Sequence, residues 1–181
     1  MTQQVFDTIR FAGLEYTVVG ANGSGLFRVA DHGFAPQTVC TACWRGAWLQ
    51  YRVVDEHLQL RRVSTFDDGS APAFLGRAPT PRTWGVSYDR LAVPVAFTGG
   101  LLAARRMVQG RRYRARPTYS WDYEQVLELS FAAGRLELVL DHSAALREFR
   151  ARALGGTENE AVAPNVYRRS YAEMPDGPWM W

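Results

Sequence analysis

The chain contains no lysine; all 21 of its basic side chains are arginine. Isoleucine occurs once, at Ile9. Together with abundant alanine, this skew points to a GC-rich bacterial genome, and it makes any single arginine a weaker sign of selected chemistry. Cysteine is equally scarce. Cys40 and Cys43 alone exclude a disulfide framework. No stretch reaches the roughly 18 consecutive apolar residues of a membrane helix. The opening MTQQVFDTIRFAG lacks the basic-then-apolar order of a secretory leader. These absences lead to the expectation of a cytoplasmic protein with no membrane association.

What is present is ordinary globular composition. Of 181 residues, 47% are hydrophobic and 22% charged, which excludes an intrinsically disordered chain. A domain of this size buries roughly 70% of its unfolded surface, so it needs neither metal nor disulfide to fold. Residues 1–156 are expected to form a single β-rich domain, with 157–181 an extended aromatic tail. The net charge of +3 permits an acidic partner without requiring one.

Apolar–polar alternation dominates the first 140 residues and predicts strands. Residues 5–11 and 15–19 read as strands around a turn at Ala12-Gly13. The glycine-rich stretch 20–25 reads as a break, and 26–30 as a further strand. The clearest hairpin spans 44–66, with its turn at Asp55-Glu56-His57. Residues 67–82 carry three prolines and two glycines and read as a long loop. Strands are expected at 91–97 and 101–108, joined at Thr98-Gly99-Gly100. A second clear hairpin covers 123–140 and turns at Ala132-Ala133-Gly134. Residues 143–154 read as the one helix, capped by Asp141 or Ser143, with Leu146, Phe149, Ala153 and Leu154 on one face. Gly155-Gly156 ends it.

Two segments carry a family resemblance. Thr41-Ala-Cys-Trp44-Arg45-Gly46, followed by Tyr51 and Leu58-x-Leu60, resembles the T-A-x-W-R-G segment of a group of small bacterial proteins. That group continues with W-x-G-x-L and Y-x-x-x-Y-E segments. The counterparts here are Phe97-Thr-Gly-Gly-Leu101 and Tyr119-x-x-x-Tyr123-Glu124, with Gly134 at the closing turn. Phe97 stands in place of the tryptophan, and Ala47 in place of an aromatic. The resemblance spans roughly residues 38–140 and implies a β-rich bacterial domain. It carries no activity and no functional residue.

Most chemical motifs have a plain structural explanation. Cys40-Thr-Ala-Cys43 has zinc-like spacing, but tetrahedral zinc needs four ligands. Two of His32, His57 and His142 would have to converge on it. A redox pair would open a helix, whereas this one leads into a strand. The histidines lie near acids, yet no serine or cysteine sits in a nucleophile elbow. The glycine stretch 20–25 is followed by strand-like sequence and lacks the lysine of a phosphate loop.

The arginine–aromatic segment is the informative one. Arg105, Arg106, Arg111, Arg112, Arg114 and Arg116 are six arginines in twelve residues without an acid, beside Tyr113, Tyr119, Trp121 and Tyr123. As a strand, 112–116 would put Arg112, Arg114 and Arg116 on one face. Guanidinium rows suit phosphates and carboxylates, and the aromatics could stack on bases. A solvated arginine face over cross-strand aromatics is the plain alternative.

The expectation is a mainly β domain, an antiparallel sandwich or a curved, partly closed sheet, with one C-terminal helix. The leading functional reading is a non-enzymatic bacterial binding protein of immunity or regulatory type, with another protein as partner. Its expected binding residues are Arg112, Arg114, Arg116, Tyr119, Trp121, Trp179 and Trp181, with no cofactor or metal. A nucleic-acid or nucleotide binder using the arginine strand is the second reading. A small hydrolase or lipocalin-like carrier, with a pocket lined by Trp44, Trp48 and Trp84, is the third.

Overall fold

Among the described residues, four two-residue turns stand out: Ala12-Gly13, Asp55-Glu56, Leu75-Gly76 and Ala133-Gly134. All eight residues have positive φ, between 47° and 86°. Such turns twist in the same sense as the strands they join, so they favour tight hairpins. The computed structural model describes residues 5–34, 36, 43, 45–66, 72–83, 85–108 and 120–155.

The strands are β1 (Thr8–Phe11), β2 (Leu14–Ser24), β3 (Ala47–Val54), β4 (His57–Thr65), β5 (Thr80–Arg82), β6 (Gly85–Tyr88), β7 (Val93–Pro94), β8 (Thr98–Met107), β9 (Tyr123–Ala132) and β10 (Arg135–Asp141). Helix α1 covers Ser143–Gly155. The strands form one sheet in the order β10-β9-β8-β2-β1-β3-β4-β6-β5, with β7 on β4. The mainly β class with one helix is as expected. The sheet is mixed, however, because β1 runs parallel to β3. The tight turn gives β1 its antiparallel partner β2, and β3 arrives on the other side after a long connection.

The sheet curls until its two clear hairpins meet. Arg135 of β10 pairs with His57 of β4, Leu58 N donates to the Gly134 carbonyl at 2.8 Å, and Leu136 N to Glu56 at 2.7 Å. Contact is limited to this end, so the curl does not close into a barrel. Gly134 is required here, since a Cβ would overlap the Val95 carbonyl. Ile9, Tyr51, Leu60, Tyr88, Phe97 and Leu129, each at most 1% exposed, fill the interior. A second, smaller cluster lies on the outer face, where Leu102, Ala104, Val126 and Trp121 meet Leu146 and Phe149 of α1.

Three local expectations are corrected. The 20–25 stretch is mostly strand: Gly23 pairs with Gly99, and a Cβ on either would strike the other strand's backbone. Glycine permits close pairing here where the sequence suggested a break. Residues 26–30 are not a strand; Phe27 enters the core ahead of a short 3-10 turn at Val29–His32. In 91–97 only Val93 and Pro94 are regular strand, although Leu91 N and Val95 N also donate to the Arg61 and Leu58 carbonyls of β4 at 2.8 and 3.0 Å, while 98–100 belong to β8.

Candidate functional site

Of the expected binding residues, Arg112, Arg114, Arg116, Tyr119, Trp179 and Trp181 lie outside the described residues. Trp121 is 6% exposed, and its ring sits 5.9 Å from that of Phe149. Arg150 of α1 donates to the carbonyls of Trp121 and Tyr123 at 3.2 and 2.8 Å. Trp121 therefore anchors the helix, with its ring turned inward. The sequence pattern assigned the helix face to Leu146 and Phe149; Arg150 joins them by satisfying two buried carbonyls.

The arginines that begin the basic segment line a groove. Thr8, Thr17 and Ala104 are aligned across β1, β2 and β8 by the registers Thr8↔Thr17 and Thr17↔Ala104. Their neighbours Ile9, Val18 and Ala103 belong to the main core, so this row faces outward. With Phe6, Glu15, Tyr16, Arg105, Arg106, Met107 and Tyr123 it lines an open groove of about 570 Å³. That volume falls in the range of small-ligand sites or of a few residues of peptide.

The charge in this groove is available. The Arg105 guanidinium lies 5.6 Å from the centre of the Tyr16 ring. Among the described residues no carboxylate comes within ion-pair distance of it. Such a contact leaves the guanidinium its hydrogen-bonding fork. Arg106 reaches Glu124 only at 3.8 Å, with both side chains more than half exposed, and a pair of that kind contributes little. Arg106 has a φ of 60°, which bends the end of β8 and lets Met107 join the outer cluster. Tyr123 closes the wall. Burial pushes its phenol up to about 12, reinforced by Asp122 and opposed by a hydrogen bond with Thr17, so it remains neutral.

The chain is clasped beside this wall. Val108 N donates to the Asp122 carbonyl at 2.8 Å. The segment holding Arg111, Arg112, Arg114 and Arg116 therefore leaves and re-enters the described fold next to Arg106 and Tyr123.

Other candidates have structural roles. Arg45, the arginine of the W-R-G segment, grips Asp7 through two hydrogen bonds of 2.8 and 3.0 Å, and the same carboxylate accepts from Leu49 N at 2.8 Å. Burial disfavours the Arg45 charge, but Asp7 outweighs it and raises its pKa above the ordinary value. Arg62 and Arg82 both bind Asp89. Cys43 is buried and donates to the Ala47 carbonyl at 3.5 Å, whereas Cys40 and Trp44 lie outside the described residues. His32 stacks on Phe27, His57 contacts the Asp55 carbonyl, and His142 meets Glu128 at 2.8 Å. Among the described residues no group of three or more His, Cys, Asp or Glu side chains is placed to hold a metal ion. None of their helices is long and apolar enough to cross a membrane.

No protein family, curated protein or solved structure matches the chain. The groove could not be read from sequence, because its residues come from positions 6 to 123 and meet only through strand pairing. Arg105 and Arg106 alone carried a local signal, as the first members of the basic run.

Proposed function

We propose that this is a non-enzymatic bacterial binding protein that holds an acidic surface of another protein at the Arg105–Arg106 groove. The observation that carries the reading is the pairing state of these two guanidiniums. Arg45, Arg62 and Arg82 are held by carboxylates, while Arg105 has a ring contact and Arg106 a long, exposed one. Hydroxyls from Thr8 and Thr17 and apolar surface from Phe6 and Met107 lie in the same groove. Guanidiniums without a close carboxylate among the described residues, beside apolar wall, suit an acidic side chain with its carbon stem.

The nucleic-acid reading keeps the arginines, but with Tyr16 and Tyr123 buried it has only Phe6 as a partly exposed ring among the described groove residues. A carrier using the interior of the curled sheet gains no support, because Tyr51, Tyr88 and Phe97 occupy that space.

The test is affinity capture from the lysate of a GC-rich bacterium, comparing wild type with Arg105→Ala/Arg106→Ala and with Arg112→Ala/Arg114→Ala/Arg116→Ala. The proposal expects one protein retained by wild type and lost with the groove variant. Retention of nucleic acid instead, falling steeply with salt, would transfer the site to the second reading. Capture unaffected by both variants would remove the groove from the account.

A further inference from the structure

The two ends of the sheet differ in how they meet solvent. β5 is three residues long and carries Pro81, and its Arg82 is tied to Ser87 at 2.7 Å and to Asp89. Short length, proline and charge are the usual means of blunting an edge. β10 has seven residues, and past its single pairing with His57 its outer side has no strand partner among the described residues.

The backbone of that edge can be assigned. His142 N donates to the Val126 carbonyl, and the register Leu138↔Ser130, Leu140↔Glu128 continues the same alternation. Leu138 and Leu140 are thus bonded to β9, which leaves the N–H and C=O groups of Val139 and Asp141 directed outward. Leu138, Val139 and Leu140 are 48%, 39% and 42% exposed. Being consecutive, they offer apolar surface on both faces of the edge. The exposed acids Glu137 and Asp141 bracket them.

We propose that the open edge of β10 is a docking site for an extended strand of another polypeptide, in which alternating apolar residues are flanked by basic ones. Main-chain hydrogen bonds to Val139 and Asp141 would hold the strand, as in other cases of strand addition. Leu138 to Leu140 would cover its apolar side chains, and Glu137 and Asp141 would select its basic flanks. A second copy of this chain fits less well. Antiparallel self-pairing about Val139 sets Glu137 opposite Asp141, and like charges directly opposite are destabilising. This edge is separate from the groove, so the two proposals stand or fall independently.

The experiment is residue-resolved amide hydrogen exchange on the whole chain with a blocked peptide, Arg-Val-Thr-Val-Thr-Val-Arg. Exchange at Val139 and Asp141 should slow about ten-fold or more at saturation, with little change at Leu138 and Leu140. Val139→Pro, which removes an outward N–H and spares the β9 ladder, should abolish the effect. Glu137→Arg tests charge selection without touching the ladder, and should shift preference toward the same peptide with glutamate flanks. No slowing at Val139 and Asp141 up to millimolar peptide overturns the proposal, as does slowing confined to the groove. Protection that rises with protein concentration alone, with a dimer in sedimentation, also overturns it by giving the edge to a second copy.

Discussion

Arg45 and Arg105 belong to one curled sheet, yet their surroundings differ in kind. Arg45 faces a carboxylate that is itself buried, in a fork of two short hydrogen bonds whose acceptor also holds the start of β3. Arg105 lies over an aromatic ring at the rim of an open groove, and its neighbour Arg106 has only a distant exposed acid. In a chain whose every basic residue is arginine, the residue type says little; what differs between these two is the partner. Removing Arg45 would strand a buried charge, whereas removing Arg105 would strand nothing inside the fold.

The sharpest stability contrast should come from the buried pair. Arg45→Ala is expected to cost about 3 kcal/mol, because the buried Asp7 carboxyl loses its partner. Urea unfolding measures this, and a loss within experimental error would mean that Asp7 is satisfied by Leu49 alone. Next is Arg150→Ala, expected to cost about 2 kcal/mol by releasing two carbonyls at the base of α1. Exchange should then open first at the α1 amides, before the strands.

The Asp89 cluster should sit between these and the groove, and its signature is acid dependence. Although burial pushes the Asp89 carboxyl up, hydrogen bonds from Arg62, Ser87 and Arg82 outweigh that and hold it below the ordinary aspartate value. A carboxyl depressed in the folded state contributes stability above its unfolded pKa of about 3.9, and that contribution is lost as pH falls through the folded value. Asp89→Asn should therefore flatten the acid limb of the stability profile below about pH 4 and lower stability slightly at pH 7. An unchanged acid limb would show that Arg62 and Arg82 are paired only loosely. The smallest effect belongs to the groove: Arg105→Ala/Arg106→Ala should stay within about 0.5 kcal/mol of wild type.

How much of this could be read in the sequence varied with how local the signal was. The hairpins at 44–66 and 123–140 were legible because period-two alternation and their turns lie within one short stretch. Residues 20–25 misled because glycine reads as a break, although Gly23 is there so that Gly99 can approach. Leu91, Val95 and Phe97 carry a strand-like pattern and are buried, yet only Val93 and Pro94 between them are regular strand, with Leu91 and Val95 each adding a single hydrogen bond to β4. The groove is assembled from Thr8, Thr17 and Ala104 by strand register, and no window of sequence contains all three. Arg105 and Arg106 stood out by composition, but what distinguishes them from Arg45 is a carboxylate supplied from residue 7.

The central claim is that position, not total charge, makes the groove a binding site. It is tested most directly by titrating the captured partner against three proteins: wild type, Arg105→Ala/Arg106→Ala, and Arg28→Ala/Arg135→Ala, which removes the same charge elsewhere. The account predicts at least about ten-fold weaker binding for the groove variant, equivalent to about 1.4 kcal/mol, and near wild-type affinity for the other. Equal weakening by both variants would contradict it, leaving only a general attraction between a basic protein and an acidic one.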